Sequence, residues 1–291
     1  MTMAQTTSPA AELTDQQFAL LCDIAKGEAG LMISSSKRQM IQSRLARHLR
    51  KLRRTDIETY LQDIAADKTG SLTSGLISVL TTNVSSFFRE RHHFEIFERD
   101  LLPGMLAKAR AGGKVRIWSA GCSSGQEPYS IAMMLLKRVP DIASLDVKVL
   151  GTDIDHEIIA RARSALYSDD EAGTLPDADR KVFMEISSES TPRNKVVGRA
   201  TDLVSIRPLN LLQKWPMKHQ FDAVFCRNVL IYFDAVTQQS LWPRFGAALH
   251  DDGYLFLGHS ERIQDSEKFG FFPCGVTTHH KNRQHGAQRK S

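Results

Sequence analysis

Two textures of hydrophobic and polar positions divide the chain, the change falling after Gly112-Gly113. Over residues 14–82 apolar residues recur every three or four positions and no segment alternates as a strand would, so this stretch reads as several short helices. The first should open at Thr14, because Thr14-Asp15-Gln16-Gln17 sets an N-cap hydroxyl three residues before a glutamine. The best-marked runs are 37–54 and a later one around 72–82. At about 100° per residue, Ile41, Leu45, Leu49 and Leu52 fall on one face of the 37–54 run. Arg44, Arg47, Arg50, Lys51 and Arg54 fall on the opposite face, which makes this helix apolar on one side and cationic on the other.

After Gly112-Gly113 short β-rich runs alternate with helical segments: strand 115–118, helix 127–138, strand 147–150, helix 155–165. That rhythm predicts an α/β fold, a parallel sheet with crossover helices. Charged residues with Ser, Thr and Pro interrupt it over 166–200, and an inserted subdomain is expected at about 168–202. It resumes with strands at 203–206, 221–225 and 253–258, a helix at 235–249 and a last strand at 271–280. The expected organisation is a disordered segment 1–13, a helical domain 14–82, an α/β domain 83–284 and a basic tail 285–291. No internal repeat is evident.

Composition narrows the setting. With 42% hydrophobic and 24% charged residues among 291, the chain has an ordinary globular balance. Cys22, Cys122, Cys226 and Cys274 lie far apart, which argues against a zinc site or a disulfide framework and suits a reducing cytoplasm. Neither a signal-peptide pattern nor an apolar run of the ~20 residues that span a bilayer is present, so a soluble, cytoplasmic protein is expected. The net charge is +5, yet Lys37, Arg38, Arg44, Arg47, Arg50, Lys51, Arg53 and Arg54 form a stretch with no acidic residue. Removing those eight charges leaves the rest of the chain at −3, so the basicity belongs to one segment and implies an acidic partner, protein or nucleic acid.

Candidate chemistry collects at the ends of the expected strands. The first runs into Trp118-Ser-Ala-Gly-Cys-Ser-Ser-Gly-Gln-Glu-Pro-Tyr-Ser130, a glycine-bearing turn that opens a helix without being a G-x-G-x-x-G fingerprint. The second ends at Gly151-Thr-Asp153, a carboxylate placed where a ribose diol would be held. Asn210 follows the third, where an amide could read an adenine edge, and Arg227 and Asn228 stand at the mouth of the fourth. Each alone has a structural explanation, Asp153 as an ordinary post-strand acid and Tyr232 as a core tyrosine; the joint pattern is what points to a site. His92-His93 lacks an evident third ligand, so no metal is expected.

Over residues 15 to 280 the wording of these segments resembles the CheR-type chemoreceptor glutamate methyltransferases. The landmarks are Leu80-Thr-Thr-Asn-Val-Ser-Ser-Phe-Phe-Arg-Glu90, the 118–130 turn, Asp153-Ile-Asp155, Phe225-Cys-Arg-Asn-Val-Leu-Ile-Tyr-Phe233 and Gly258-His-Ser-Glu261. The resemblance implies an N-terminal all-helical domain and a Rossmann-like domain binding S-adenosylmethionine (SAM), with a small antiparallel β-subdomain inserted. The product of the cofactor would be S-adenosylhomocysteine. It further implies cofactor contacts at Asn83, Ser85, Arg89, Glu127, Asp153, Asn210, Leu211, Arg227 and Asn228, and places Arg89 and Tyr232 nearest the chemistry. At Ser85 the family often has threonine, and either supplies a hydroxyl.

The implied partner is the cytoplasmic helical bundle of methyl-accepting chemoreceptors, met by Arg44, Arg47, Arg50, Lys51 and Arg54, with no insertion into the membrane. Some members also grip a receptor pentapeptide through a glycine-bearing loop of the β-subdomain. Here the stretch 185–198 has its only glycine at Gly198, which argues against that tether. Two alternatives belong to other classes. A nucleic-acid methyltransferase would use the basic helix on RNA or DNA, but Asn228 is followed by Val229-Leu230 rather than the Pro-Pro-aromatic turn of amine methylation. A non-catalytic receptor-binding module is disfavoured by the intact Arg89, Asp153, Arg227-Asn228 and Tyr232.

Overall fold

The computed structural model describes residues 13–54, 56–67, 70–81 and 83–281, so the segment 1–12 and the tail 285–291 lie outside the described residues. Two compact units divide the chain between residues 82 and 83.

The first unit is helical: α1 (Asp15–Ala29), α2 (Arg38–Lys51), α3 (Ile57–Ala66) and α4 (Ser71–Leu80). Thr14 Oγ1 accepts from Gln17 N at 3.2 Å while Gln17 Oε1 accepts from Thr14 N at 3.0 Å, so the capping box forms. Leu13, expected to fall in the disordered segment, is instead buried, and its carbonyl accepts from Arg38. On α2, Ile41, Leu45 and Leu49 are buried as their spacing predicts. Leu52 does not join them. The helix stops at Lys51 and Arg53 turns to φ +56°, which leaves Leu52 39% exposed.

In the second unit, α5 (His92–Ile96), a π turn (Phe97–Leu101) and α6 (Leu102–Arg110) run on without a break. Leu101 and Leu102 are both buried, in a stripe with Phe94, Phe97, Met105 and Ala109. There follow β1 (Val115–Ala120), α7 (Gln126–Arg138), β2 (Val147–Asp153) and α8 (His156–Ser164). The insertion comprises β3 (Leu166–Tyr167), α9 (Asp169–Ala172), α10 (Asp177–Phe183), β4 (Met184–Ile186), β5 (Asn194–Val196) and α11 (Gly198–Thr201). The main sheet resumes with β6 (Val204–Pro208), β7 (Phe221–Cys226), α12 (Ala235–Ala248), β8 (Leu249–Leu257), β9 (Phe271–Gly275) and β10 (Thr278–Lys281).

The seven-stranded sheet has the order β6-β2-β1-β7-β8-β10-β9, with β6 to β8 parallel and β10 antiparallel to both its neighbours. The inserted strands make a separate antiparallel sheet, β3-β5-β4. One expectation needs correcting. The single strand foreseen at 271–280 is a hairpin, because the chain reverses after Gly275 and Thr277 adopts φ +47°.

Central strands covered on both faces carry near-continuous apolar runs, and β1 and β7 are buried almost throughout. Phe225 and Phe256 stack at 4.3 Å between ring centroids, with Phe97 at 5.9 Å from Phe225. Truncating fully buried Phe97 to alanine would open a cavity at about 3–5 kcal/mol. This packing holds rigid the strand ends on which the next features are built.

Candidate active site

Strand order reverses between β1, which leads outward through β2 to β6, and β7, which leads to β8. Crevices beyond the carboxyl ends at such a switch are where open α/β sheets bind ligands. Most of the residues singled out in the sequence sit there. Gly121, after β1, adopts φ +80°, and a Cβ on it would lie 2.2 Å from Val229 Cγ2 in the turn after β7. The two turns therefore touch, and only glycine fits between them.

Asp153 ends β2 with 9% exposure. Its Oδ2 accepts from Ser123 N at 2.8 Å and its Oδ1 from Asp155 N at 3.1 Å. Burial outweighs these amides and pushes its pKa up to about 6. Asp155 in turn caps α8, accepting from Glu157 N and Ile158 N, and takes a 2.7 Å bond from Asn83 Nδ2. Ser123 Oγ donates to Asn83 O at 3.2 Å, and Leu209 N donates to Asp153 O at 2.8 Å, which brings Asn210 beside the same corner. Asn210 Oδ1 accepts from Leu212 N at 2.9 Å.

Arg227 is the hub of a second cluster. Its side chain is 3% exposed, with Nη1 3.0 Å from Glu127 Oε2 and Nη2 3.4 Å from Glu90 Oε2. Nη2 also donates to the carbonyl of Arg89. Glu127 Oε1 accepts from Ser119 Oγ at 2.6 Å; burial raises the Glu127 pKa, against the pull of Arg227. At Glu90, burial also pushes upward, but Arg227 and His259 outweigh it and the pKa falls. Arg89 itself reaches Val84 O at 3.1 Å.

The turn after β7 is held from behind. Asn228 adopts φ +59°, and Glu261 accepts from the backbone amides of Asn228, Val229, Leu230 and Gly258. Tyr232 ends the short 3-10 turn that follows and is half-buried. Positive φ at Phe88, Glu90, Ser123 and Asn228 concentrates strained backbone in the loops that meet here, as strain tends to do at functional sites.

Not every expected residue joins the crevice in the same way. Ser85 is half-buried in the segment between Asn83 and Arg89, and Leu211 is buried with its carbonyl accepting from Trp215 and Arg244. His92 and His93 do have a third ligand-type neighbour, Glu90, with one ligand atom of each residue within 4.8 Å of the others. Sequence spacing hides this because Glu90 turns back at φ +55°. The carboxylate is engaged by Arg227 and His259, while burial holds His93 neutral, its pKa pushed down to about 3.

In the first unit the basic residues of the α2 run differ in their surroundings. Arg44 Nη1 donates to Thr81 O at 2.5 Å, and Arg54, beyond the helix end, pairs with Asp63 and lies 5.7 Å over the Tyr60 ring. Both make bonds within the first unit and are half-exposed. Arg47, Arg50, Lys51 and Arg53 remain exposed. Missing from the sequence reading were Ser119, Ser123, Glu90 and the role of Glu261, whose only advance signal is the Gly258-His-Ser-Glu261 wording.

The crevice suits a ligand such as SAM better than a dinucleotide. The 121–127 turn has no lysine or arginine, and the first turn of α7 carries the acid Glu127, so a pyrophosphate would meet repulsion at that helix start. A mixed set of carboxylate, amide and guanidinium groups fits a ligand with a ribose, an amino-acid zwitterion and a cationic sulfur.

Comparison with known proteins agrees. Residues 16–81 match the all-alpha domain of CheR methyltransferase, and residues 83–278 match its SAM binding domain. A "probable chemotaxis protein methyltransferase" of Rhizobium etli is 42% identical over 253 residues, covering 87% of this chain and 94% of that one. The "chemotaxis protein methyltransferase" of Escherichia coli is 38% identical over 258 residues, 88% of this chain and 87% of its own. "Chemotaxis protein methyltransferase 2" of Pseudomonas aeruginosa is 37% identical over 238 residues, 80% and 82% of the two chains. With its helical unit and its SAM-binding α/β unit both matched, the chain belongs to the CheR methyltransferase family.

Proposed function

We propose that this chain transfers the methyl group of SAM to glutamate side chains of bacterial chemoreceptors, forming carboxyl methyl esters. The names of its relatives support methylation in chemotaxis. The observation that carries the ester chemistry is that the carboxylates around the crevice are already engaged. Glu127 holds Ser119 and Arg227, Glu90 faces Arg227 and His259, Asp153 takes two amides, Asp155 caps a helix and Glu261 takes four amides. We read these bonds as committing the five carboxylates to the fold rather than to proton abstraction. An amine acceptor would need a base for that step. A glutamate side chain, with a pKa of ~4.3, is already an anionic nucleophile at neutral pH.

Bound SAM supplies a methyl carbon on a sulfonium leaving group. The chain's task is placement. Asp153 would accept the ribose hydroxyls, and Asn83, Ser85, Asn210, Leu211 and Asn228 would line the cofactor. Arg227, committed to Glu127 and Glu90, holds the Arg89 segment against the crevice through the Arg89 carbonyl. Arg89 and Tyr232 orient the incoming carboxylate by hydrogen bonds to its charged oxygens. Alignment of this kind is worth up to ~7–11 kcal/mol in favourable intramolecular cases.

Recognition rests on α2 and the turn after it, where exposed Arg47, Arg50, Lys51 and Arg53 suit the acidic surface of a receptor's helical bundle. No described helix is long and apolar enough to cross a membrane. On this reading the chain works in the cytoplasm, where the receptors' helical bundle would lie. A nucleic-acid substrate is not favoured, since the relatives are named for chemotaxis and Asn228 lacks the amine-recognition turn. The deciding experiment is transfer of labelled methyl from SAM to receptor-containing membranes, followed by mild alkali. Label released as methanol is expected; alkali-stable label overturns the reading.

A further inference from the structure

We infer that Glu261 is a positioning residue for methyl transfer, its buried carboxylate fixing the loop after β7 so that Tyr232 is aimed at the reacting carboxylate. This deepens the proposed function and rests on it for the identity of the reaction.

The loop has reason to spring away. Asn228 sits at φ +59°, in the left-handed region that a side chain enters less readily than glycine and that the surroundings must hold. The following 3-10 turn, Leu230–Tyr232, has no side-chain cap, so its leading N–H groups need acceptors from elsewhere. Glu261 meets both needs. Its Oε2 accepts from Asn228 N at 3.0 Å and Gly258 N at 2.5 Å, and its Oε1 from Val229 N at 2.9 Å and Leu230 N at 2.7 Å.

The clamp is built into the backbone on its other side too. Glu261 N donates to Gly258 O at 2.9 Å, closing a turn that returns the carboxylate to the loop. A Cβ at Gly258 would lie 2.6 Å from Asn228 N and 2.8 Å from Glu261 Oε2, so any larger residue there would displace the clamp. Gln238 Nε2 braces the far end, donating to Leu230 O at 2.9 Å and Phe233 O at 3.0 Å.

Tyr232 inherits its place from the clamped residues. Its N–H donates to Val229 O at 3.1 Å, and Phe233 N to Leu230 O at 3.0 Å. A carboxylate is needed because both its oxygens accept in pairs; the NH2 of an amide would face two N–H donors and reject them. Glu261 is only 4% exposed, and burial pushes its pKa up against the four amides that favour the anion. Its carboxylate therefore serves the loop and not the acceptor.

The test compares Glu261→Gln, Glu261→Asp and Tyr232→Phe singly and combined, with kcat expressed per folded site. Glu261→Gln should lower kcat by about 10²-fold, the scale of a misplacement of ~1 Å at the reacting atoms. Tyr232→Phe should then cost little more in the Glu261→Gln background than Glu261→Gln alone, because its hydroxyl is already misaimed. Glu261→Asp keeps the charge and should recover part of the rate. Parent-like kcat in Glu261→Gln, or fully additive losses with Tyr232→Phe, overturns the proposal. Should Glu261→Gln not fold, the same cycle is run on Glu261→Asp with the same criteria. Hydrogen exchange at 228–230 must also quicken in the variant that folds, and unchanged exchange refutes the clamp even if the parent methylates no receptor, a result that would refute the proposed function separately.

Discussion

Replacing Arg227 by methionine removes one guanidinium from between two buried carboxylates while keeping a side chain of similar reach. Glu127 and Glu90 are 12% and 11% exposed in their side chains and stand 3.0 and 3.4 Å from that guanidinium. Losing one partner of a buried pair typically costs about 3–5 kcal/mol, because the other charge stays in low dielectric. In a unit of this size that is a drop of roughly 6–20 °C in melting temperature. Urea unfolding followed by tryptophan fluorescence reads the right unit, since Trp118, Trp215 and Trp242 all lie after residue 82.

The pH dependence supplies a second, sharper check. Glu127 already has its folded pKa raised above 4.5 by burial, and without Arg227 it rises further. Between that raised value and 4.5 the folded chain holds a proton that the unfolded chain does not, so lowering pH stabilises the variant. Glu90 in the parent behaves oppositely: its pKa is lowered, and the stability it contributes is lost as pH falls through that value. The gap between parent and variant should therefore narrow on acidification. A loss below about 1 kcal/mol, or a gap that widens as pH falls, refutes the assignment of Arg227 as the charge that holds this cluster.

Asp153→Ala should weaken SAM binding by about 1.5–3 kcal/mol, the worth of a charge-assisted hydrogen bond, and calorimetry on folded variant with unchanged affinity would remove Asp153 from the ribose. Reversal of Arg47, Arg50, Lys51 and Arg53 to glutamate should raise the receptor concentration needed for methylation and leave SAM affinity intact, with Arg44 and Arg54 untouched because they bond within their own unit. Added salt should mimic that change in the parent, since exposed charges are screened over ~8 Å at physiological ionic strength; insensitivity to both would reduce the basic run to a solvated face.

The parts of this chain legible in its sequence are those fixed by near neighbours. Thr14 and Gln17 announce a capping box three residues apart, and the apolar runs of β1, β2 and β7 announce buried parallel strands. Strand ends then place Asp153, Asn210 and Arg227 at one edge of the sheet, by topology alone. Partners distant in sequence leave no such trace. Arg227 meets Glu127 across 100 residues, and Glu261 meets the 228–230 amides across about 30, through backbone groups that every residue possesses. Arg44 is read as a free charge by helical geometry and is taken up by carbonyls 35 and 37 residues away. Local turn chemistry accounts for the hairpin at β9 and β10, where a run of apparently continuous strand hides a reversal at Gly275.

The π turn at Phe97–Leu101 gives the second unit a phase adjustment. A helix that carried on regularly through these residues would present its two halves about 100° out of step, because one residue fewer would be taken up in the turn. Downstream, α6 stays docked on the sheet through Met105 and Ala109; upstream, the rotation would fall on His93, which donates or accepts at Thr277 Oγ1 over 3.0 Å, and on Glu90 beside it. A single-residue deletion there would conserve every side chain that touches Arg227 and still swing the Arg89 segment out of register. A change of length alone, outside the residues named for the crevice, would thus reach it.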